Sequence, residues 1–328
     1  MSGTNSSNAD LKKLAQSVLE GDRWALGRAI TLIESKKSEH RQLASVLLEM
    51  LLPATGNSTR IGVTGVPGAG KSTFIDVLGT YLTSVGKKPA VLTIDPSSAR
   101  SKGSILGDKT RMEQLARDTR AFIRPSPAGT QLGGVAQHTR ETILLCEAAG
   151  FDVVIIETVG VGQSETFVRE MVDFFLLLLI PGGGDELQGI KRGIMEMADM
   201  VLINKSDGDY LQKGREARHN YQQALHLFPP HPGQWTVPVE TVSAIEKTGI
   251  EAAWDKIETF VQTTRKNGYF DVQRKQQNLQ GFRDTLRREL ELEFYARPSV
   301  KSKRNETEAL ISSGQISVRK GIERLMEE

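Results

Sequence analysis

Residues 65–72 read Gly65-Val66-Pro67-Gly68-Ala69-Gly70-Lys71-Ser72, set between an apolar stretch and a helical pattern that begins at Lys71. A strand, a glycine-rich turn with Gly-Lys-Ser at its end, and a helix form a phosphate-binding loop. The glycines let successive backbone N–H groups curl around phosphate oxygens, and the helix N-terminus adds its dipole. In this arrangement the binding residues run from Gly65 through Thr73. Lys71 reaches the β- and γ-phosphates and the Ser72 hydroxyl binds Mg²⁺. A chance match in a chain this long is expected roughly 1% of the time, before the flanking strand and helix are required.

A loop of this kind needs a parallel sheet behind it, and the rest of the chain supplies the pattern. Short apolar runs at 61–65, 90–95, 121–124, 152–158, 174–180, 200–204 and 237–243 read as strands. Helical patterns at 71–82, 139–149, 189–198, 210–227 and 250–264 separate most of them. Such alternation predicts an α/β fold: a P-loop NTPase with a mostly parallel sheet covered by helices. Ligands then sit beyond the carboxyl ends of the strands.

Helical segments flank this region. Leu11, Leu14, Ala15, Val18 and Leu19 repeat at helix spacing, and Gly21 stops them. Asp22 caps a second helix carrying Leu26, Ile30 and Ile33, and Ser38 a third carrying Leu43, Leu47 and Leu51. Near the other end, Phe282, Leu286, Leu290 and Phe294 recur every four residues and predict a long helix that Pro298 ends. Asn305 with Glu308 reads as a capping box, Gly314 as a stop and Ser317 as the start of a last helix. The expected domains are an N-terminal helical segment over 1–55, the nucleotide-binding domain over 56–267 and a C-terminal helical arm over 268–328.

Asn204-Lys205-Ser206-Asp207 follows the strand at 200–204. Guanine offers two adjacent donors that one carboxylate accepts together, and adenine lacks that pair, so Asp207 suits guanine. Lys205 can lay its methylenes along the base, and Asn204 can tie strand ends together. Ser243 and Ala244, after a further strand, bring backbone N–H groups near the guanine carbonyl oxygen. Glu157 ends a buried strand facing the phosphate loop and can hold Mg²⁺ directly or through water, while Gly160 lets a backbone N–H sense the γ-phosphate. Asp95, at the end of the second strand, and Asp108, in a loop rich in glycine and charge, can organise the metal's water shell or the attacking water. Three glycines and two acids at 182–186 suggest a loop at the active face, from which Lys191 could reach a phosphate. Gln163 and Arg111 are weak candidates for positioning water and for an arginine finger.

Composition removes other classes. The 328 residues carry 42 Lys+Arg against 40 Asp+Glu, a net +2, which makes no case for nucleic-acid or anionic-membrane binding. The apolar run at 174–180 is too short to span a bilayer, and no targeting segment is evident, so a soluble cytoplasmic protein is expected. Cys146 is the only cysteine, and it cannot supply a cysteine-rich metal site. Of the five histidines, His219, His226 and His231 read as surface residues, and Trp24, Trp235 and Trp254 as packing residues.

Together these motifs resemble one family. Glu157-Thr158-Val159-Gly160, in place of the commoner Asp-x-x-Gly, is similar to the SIMIBI-class maturation GTPases. Within that class, the phosphate loop, Asp95-Pro96-Ser97-Ser98, Gly107-Asp108-Lys109-Thr110-Arg111-Met112, Glu157-Thr158-Val159-Gly160-Val161-Gly162-Gln163-Ser164 and Asn204-Lys205-Ser206-Asp207 resemble the MeaB-type methylmalonyl-CoA mutase-associated GTPases. The likeness covers nearly the whole chain. It implies a GTP- and Mg²⁺-dependent chaperone that gates adenosylcobalamin loading and protects methylmalonyl-CoA mutase. It also implies a homodimer built on the C-terminal helices, with 180–191 as an additional switch. Two rivals share the nucleotide site. A small-molecule kinase would have no need of Asp207, and a nickel-insertion metallochaperone would need a Cys/His cluster.

Overall fold

Strand β1 (Thr59–Gly65) lies at the centre of a parallel sheet, with β4 (Val153–Thr158) on one side and β5 (Phe174–Leu179) on the other. Beyond β4 come β2 (Pro89–Ile94) and β3 (Phe122–Ser126), and beyond β5 come β6 (Met200–Ile203) and β7 (Val239–Thr241). The order is β3-β2-β4-β1-β5-β6-β7, all parallel. The computed structural model describes residues 2–35, 37–94, 112–126, 132–158, 164–182 and 192–327.

Side chains alternate across the strands, so each strand feeds two apolar layers. Val154 and Ile156 face α1 (Ser2–Leu19), α2 (Arg23–Ile33), α3 (Ser38–Leu51) and α6 (Leu132–Ala148). Val153 and Ile155 face α4 (Lys71–Ser84), α5 (Glu113–Arg117) and α10 (Ile250–Lys266). A third cluster joins β5 to β7 with α8 (Arg192–Met197) and α9 (Leu211–Leu225). Every residue of β5 is buried, as expected for a strand covered on both faces. The three N-terminal helices share one apolar cluster with α6 and the sheet.

Between β4 and β5 runs α7 (Ser164–Arg169), which rests on β1 where Gly62 has no side chain. A Cβ there would come 2.7 Å from Val168 Cγ1 and 2.8 Å from Phe175 Cδ2. The chain then divides into two compact units, Met1–Gln277 and Asn278–Glu328. The boundary falls inside α11 (Tyr269–Ala296), which is followed by α12 (Pro298–Ser312) and α13 (Val318–Met326). The root of α11 is held by buried polar contacts in the first unit. Gln273 and Gln277 both donate to Val172 O, at 3.0 and 2.8 Å, and Arg274 pairs with Asp173 at 2.7 Å. In the second unit, Ile311 of α12 packs onto Gly321 of α13, and Arg324 pairs with Glu306 at 2.7 Å.

Several local expectations hold. Asp22 caps α2 by accepting from Trp24 N at 2.7 Å, Gly314 follows α12 with φ 71°, and Ser317 caps α13. Others need correction. Ser38 is the first residue of α3 rather than its cap, which is Lys37. Asn305 lies inside α12, which opens earlier at Pro298, and Glu308 pairs with Arg304 one turn back rather than capping. Proline at a first helical position forgoes only an N–H that has no intrahelical partner there, so Pro298 both separates α11 from α12 and starts the latter. Strand β3 continues through Pro125, which an edge strand tolerates. Trp24, expected to pack, is 85% exposed, whereas Trp254 is buried and Trp235 stacks edge-on against Phe260. His231 is no surface residue: Nε2 bonds Asp199 at 2.9 Å and the ring packs against Phe260 and Tyr269.

Candidate nucleotide site

At the carboxyl end of β1 the backbone turns sharply. Gly65 has φ 151°, and a Cβ on it would run into Leu178 O of the neighbouring strand. Gly68 and Gly70 have φ 80° and 85°, conformations that cost an L side chain roughly 1–2 kcal/mol. Lys71 and Ser72 open α4 directly behind them. Lys71 Nζ folds back to donate to Gly65 O at 2.9 Å and Val66 O at 3.3 Å.

Glu157 stands opposite Val63 in register and belongs to the same side of β4 as Val153 and Ile155, the side that α4 covers. It is buried, and Oε1 accepts from Ser72 Oγ at 2.7 Å. A serine hydroxyl and a carboxylate are hard oxygen donors, and Mg²⁺ takes few of these from protein when phosphate and water complete its octahedron. The pair therefore fits such an ion. Burial pulls the Lys71 ammonium below the ordinary lysine range, and the charges of Glu157 and Glu165 oppose that pull. Glu165 is a buried carboxylate on α7.

The residues expected at the base follow β6 and β7. Asn204 is buried and donates from Nδ2 to Ala69 O at 2.8 Å, which ties the end of β6 to the phosphate loop. Its Oδ1 accepts from Ala244 N at 3.2 Å. The Ala244 N–H, expected to face a guanine carbonyl oxygen, is thus given to Asn204, and the Ser243 N–H goes to Thr248 O. Lys205 has φ 59°, and its stem lies beside Gly70. Ser243 Oγ donates to Asp207 Oδ2, which fixes that carboxylate at the strand ends. The structure therefore brings Gly65 to Thr73, Glu157, Asn204, Lys205, Asp207, Ser243 and Ala244 to one edge of the sheet. Asp95, Asp108, Arg111, Gly160, Gln163 and Lys191 lie outside the described residues.

Cys146 is buried in α6, and burial pushes its thiol far above the usual range. Among the described residues no group of three or more His, Cys, Asp or Glu side chains is arranged to hold a metal. No helix of the described residues is long and apolar enough to cross a membrane.

A parallel sheet with this loop and helix at its centre defines an α/β P-loop NTPase. The family model described as methylmalonyl-CoA mutase-associated GTPase MeaB matches residues 26–299. The GTPase ArgK of Escherichia coli is 46% identical over 319 residues, covering 97% of this chain and 96% of the relative. A mouse protein named methylmalonic aciduria type A homolog, mitochondrial, is 43% identical over 315 residues, covering 93% of this chain and 76% of its own length. A crystal structure solved as the LAO/AO transport system kinase superposes with a TM-score of 0.76 at 39% identity, covering 97% of each chain. The chain belongs to the MeaB family, and like the other members it is a GTPase, converting GTP and water to GDP and phosphate.

Proposed function

We propose that this GTPase is the chaperone of an adenosylcobalamin-dependent methylmalonyl-CoA mutase, gating loading of the cofactor and protecting the loaded enzyme. The observation that carries the reading is the Asn204–Ala69 bond, which ties the segment after β6, three residues before Asp207, to the phosphate loop, in a chain matched over 26–299 by a family whose description names the mutase. The name of the mouse relative, methylmalonic aciduria type A homolog, supports the same partner.

In this reading the amides of residues 65–73 and the Lys71 ammonium surround the phosphates and spread the charge that develops during transfer to water. Asp207 accepts both guanine donors, and the Lys205 stem covers the base. Ser72 and Glu157 hold Mg²⁺, which when bound supplies further stabilisation of phosphate charge. Asp95 and Asp108 order water, the Gly160 amide reads the γ-phosphate, and Lys191 reaches a phosphate from its own loop. Loss of the γ-phosphate is the event that moves the loops. Phe282, Leu286 and Leu290 stand exposed along α11 and form the homodimer contact.

The test is phosphate release from Mg-GTP by the purified protein, with and without a purified adenosylcobalamin-dependent mutase. Turnover is expected to rise when the mutase is present. A second reading, a small-molecule kinase, has the name of the solved relative in its favour. A phosphorylated metabolite with no response to the mutase would replace the chaperone with that kinase.

A further inference from the structure

Only six residues, Ser164–Arg169, form α7, which lies between Glu157 on β4 and the start of β5. A helix this short does not sustain itself in water and takes its stability from what packs on it and what caps it. Packing comes from Val168, seated over Gly62. Capping comes from elsewhere in the chain, because the last carbonyls of a helix have no partner within it. Gln277 Nε2, on α11, donates to Arg169 O at 3.3 Å and to Val172 O at 2.8 Å, and Gln273 Nε2 adds a bond of 3.0 Å to Val172 O. Arg140 Nη1, on α6, donates to Glu170 O at 2.7 Å and to Gln277 O at 3.4 Å, so it bridges the end of α7 and α11. The Arg169 guanidinium pairs with the buried Asp199 at 2.6 Å, just ahead of β6.

These bonds gather at the edge of the sheet away from the phosphate loop. Because α7 lies between two strands of one parallel sheet, it runs back against them, and its last turn lies toward their amino ends. Its first turn lies toward the carboxyl end of β4, where Glu157 accepts from Ser72 Oγ. At 1.5 Å per residue the helix is only about 9 Å long, so a shift at the capped end reaches the other end as a tilt. Gln277 is buried, and its Oε1 takes no hydrogen bond among the described residues, so the side chain works as a donor alone. We propose that Gln277 is a positioning residue for GTP hydrolysis: by capping the carbonyl end of α7 from α11, it fixes the connection that leaves Glu157. This rests on the reading of Glu157 as the acid on the metal side of the phosphate site. It adds that α11, along which the chain passes out of the first compact unit, has a direct hold on turnover.

Gln277→Met keeps the length of the side chain and removes its donor. Steady-state turnover of Mg-GTP by the full chain is expected to show kcat lowered about tenfold, because the end of α7 loses its cap. Affinity for GDP, measured by titration, should stay within about twofold of the parent protein. Gln277→Lys, whose ammonium can donate to the same carbonyls, should bring kcat back to within about threefold of the parent. An unaltered kcat in Gln277→Met overturns the proposal. So does a loss of GDP affinity as large as the loss of kcat, or a Gln277→Lys protein as slow as Gln277→Met. Should Gln277→Met fail to fold, Arg140→Met takes its place, since it strips the bond to Glu170 O from the same helix end, and full turnover there overturns the proposal. Glu157→Gln separates the two readings: turnover untouched by that substitution fails the metal-side reading of Glu157, whatever Gln277 does.

Discussion

Asn204 Nδ2 donates to Ala69 O at 2.8 Å, closing a link between β6 and the phosphate loop across 135 residues of chain. The same nitrogen lies 2.7 Å from where a Cβ on Gly70 would stand. The segment after β6 and the glycine-rich loop after β1 are therefore packed backbone to side chain, with no room between them.

Gly70→Ala should disturb both ends of the nucleotide at once. The φ of 85° adds strain of about 1–2 kcal/mol, and the methyl displaces Asn204 from Ala69 O. The expected result is a lower unfolding temperature and at least a roughly tenfold loss of GTP affinity. Thermal unfolding and nucleotide titration of the same preparation would measure the two effects separately.

Asp207→Asn replaces an acceptor pair with one acceptor and one donor. Guanine's exocyclic amine then meets a donor, while the carbonyl of xanthine at that position is welcomed. GTP affinity should drop on the order of 100-fold and XTP should become the better ligand. Competition between the two nucleotides reads the exchange, and an unaltered preference for GTP would remove Asp207 from the base site.

Glu147 on α6 receives Arg60 in a bidentate pair at 2.8 and 2.9 Å, Ser58 Oγ at 2.6 Å and Gly56 N at 2.8 Å. Burial pushes its pKa up, but the bonds from Arg60, Ser58 and Gly56 outweigh burial and hold it below the ordinary carboxylate value. A depressed folded-state value means that the stabilisation is complete above the unfolded carboxylate range and is lost as pH falls through the lower folded value. Glu147→Ala should cost about 3 kcal/mol at neutral pH, since it leaves the Arg60 guanidinium buried without its partner. Denaturant titrations from neutral pH downward should also show a flatter acid limb for Glu147→Gln than for the parent protein.

Cys146 should be silent toward thiol reagents in the native protein, because burial raises its thiol far above the reactive range. Labelling should appear only as the chain unfolds, at a rate that reports opening of the layer around α6. Rapid labelling under native conditions would show that layer to be open.

How much of this was legible beforehand differs from one residue to the next. The strands were plain because β4 and β5 are buried on both faces and must be apolar throughout, and Asp22 was plain because a cap acts on its immediate neighbours. Asn305 and Glu308 carry the residue types of a cap, but Pro298 had already begun the helix, and a helix once nucleated continues through a would-be cap. The chemistry of Trp24 suggests packing, but the residue lies on the outward face of α2. The partner of His231, Asp199, is far away in sequence, so no spacing along the chain could announce it. Gly62 gave least notice, since a glycine inside a strand does not reveal which helix occupies the space it leaves.

That space sets the mechanics of α7. With Val168 Cγ1, Phe175 Cδ2 and Val172 Cγ2 already filling the volume above Gly62, the helix is seated on bare backbone and has no further inward travel. Any displacement must lift it from the sheet or slide it along the strands. Gly62 thus acts as a hard stop, so a push that drives α7 toward the sheet meets β1 directly rather than compressing the core.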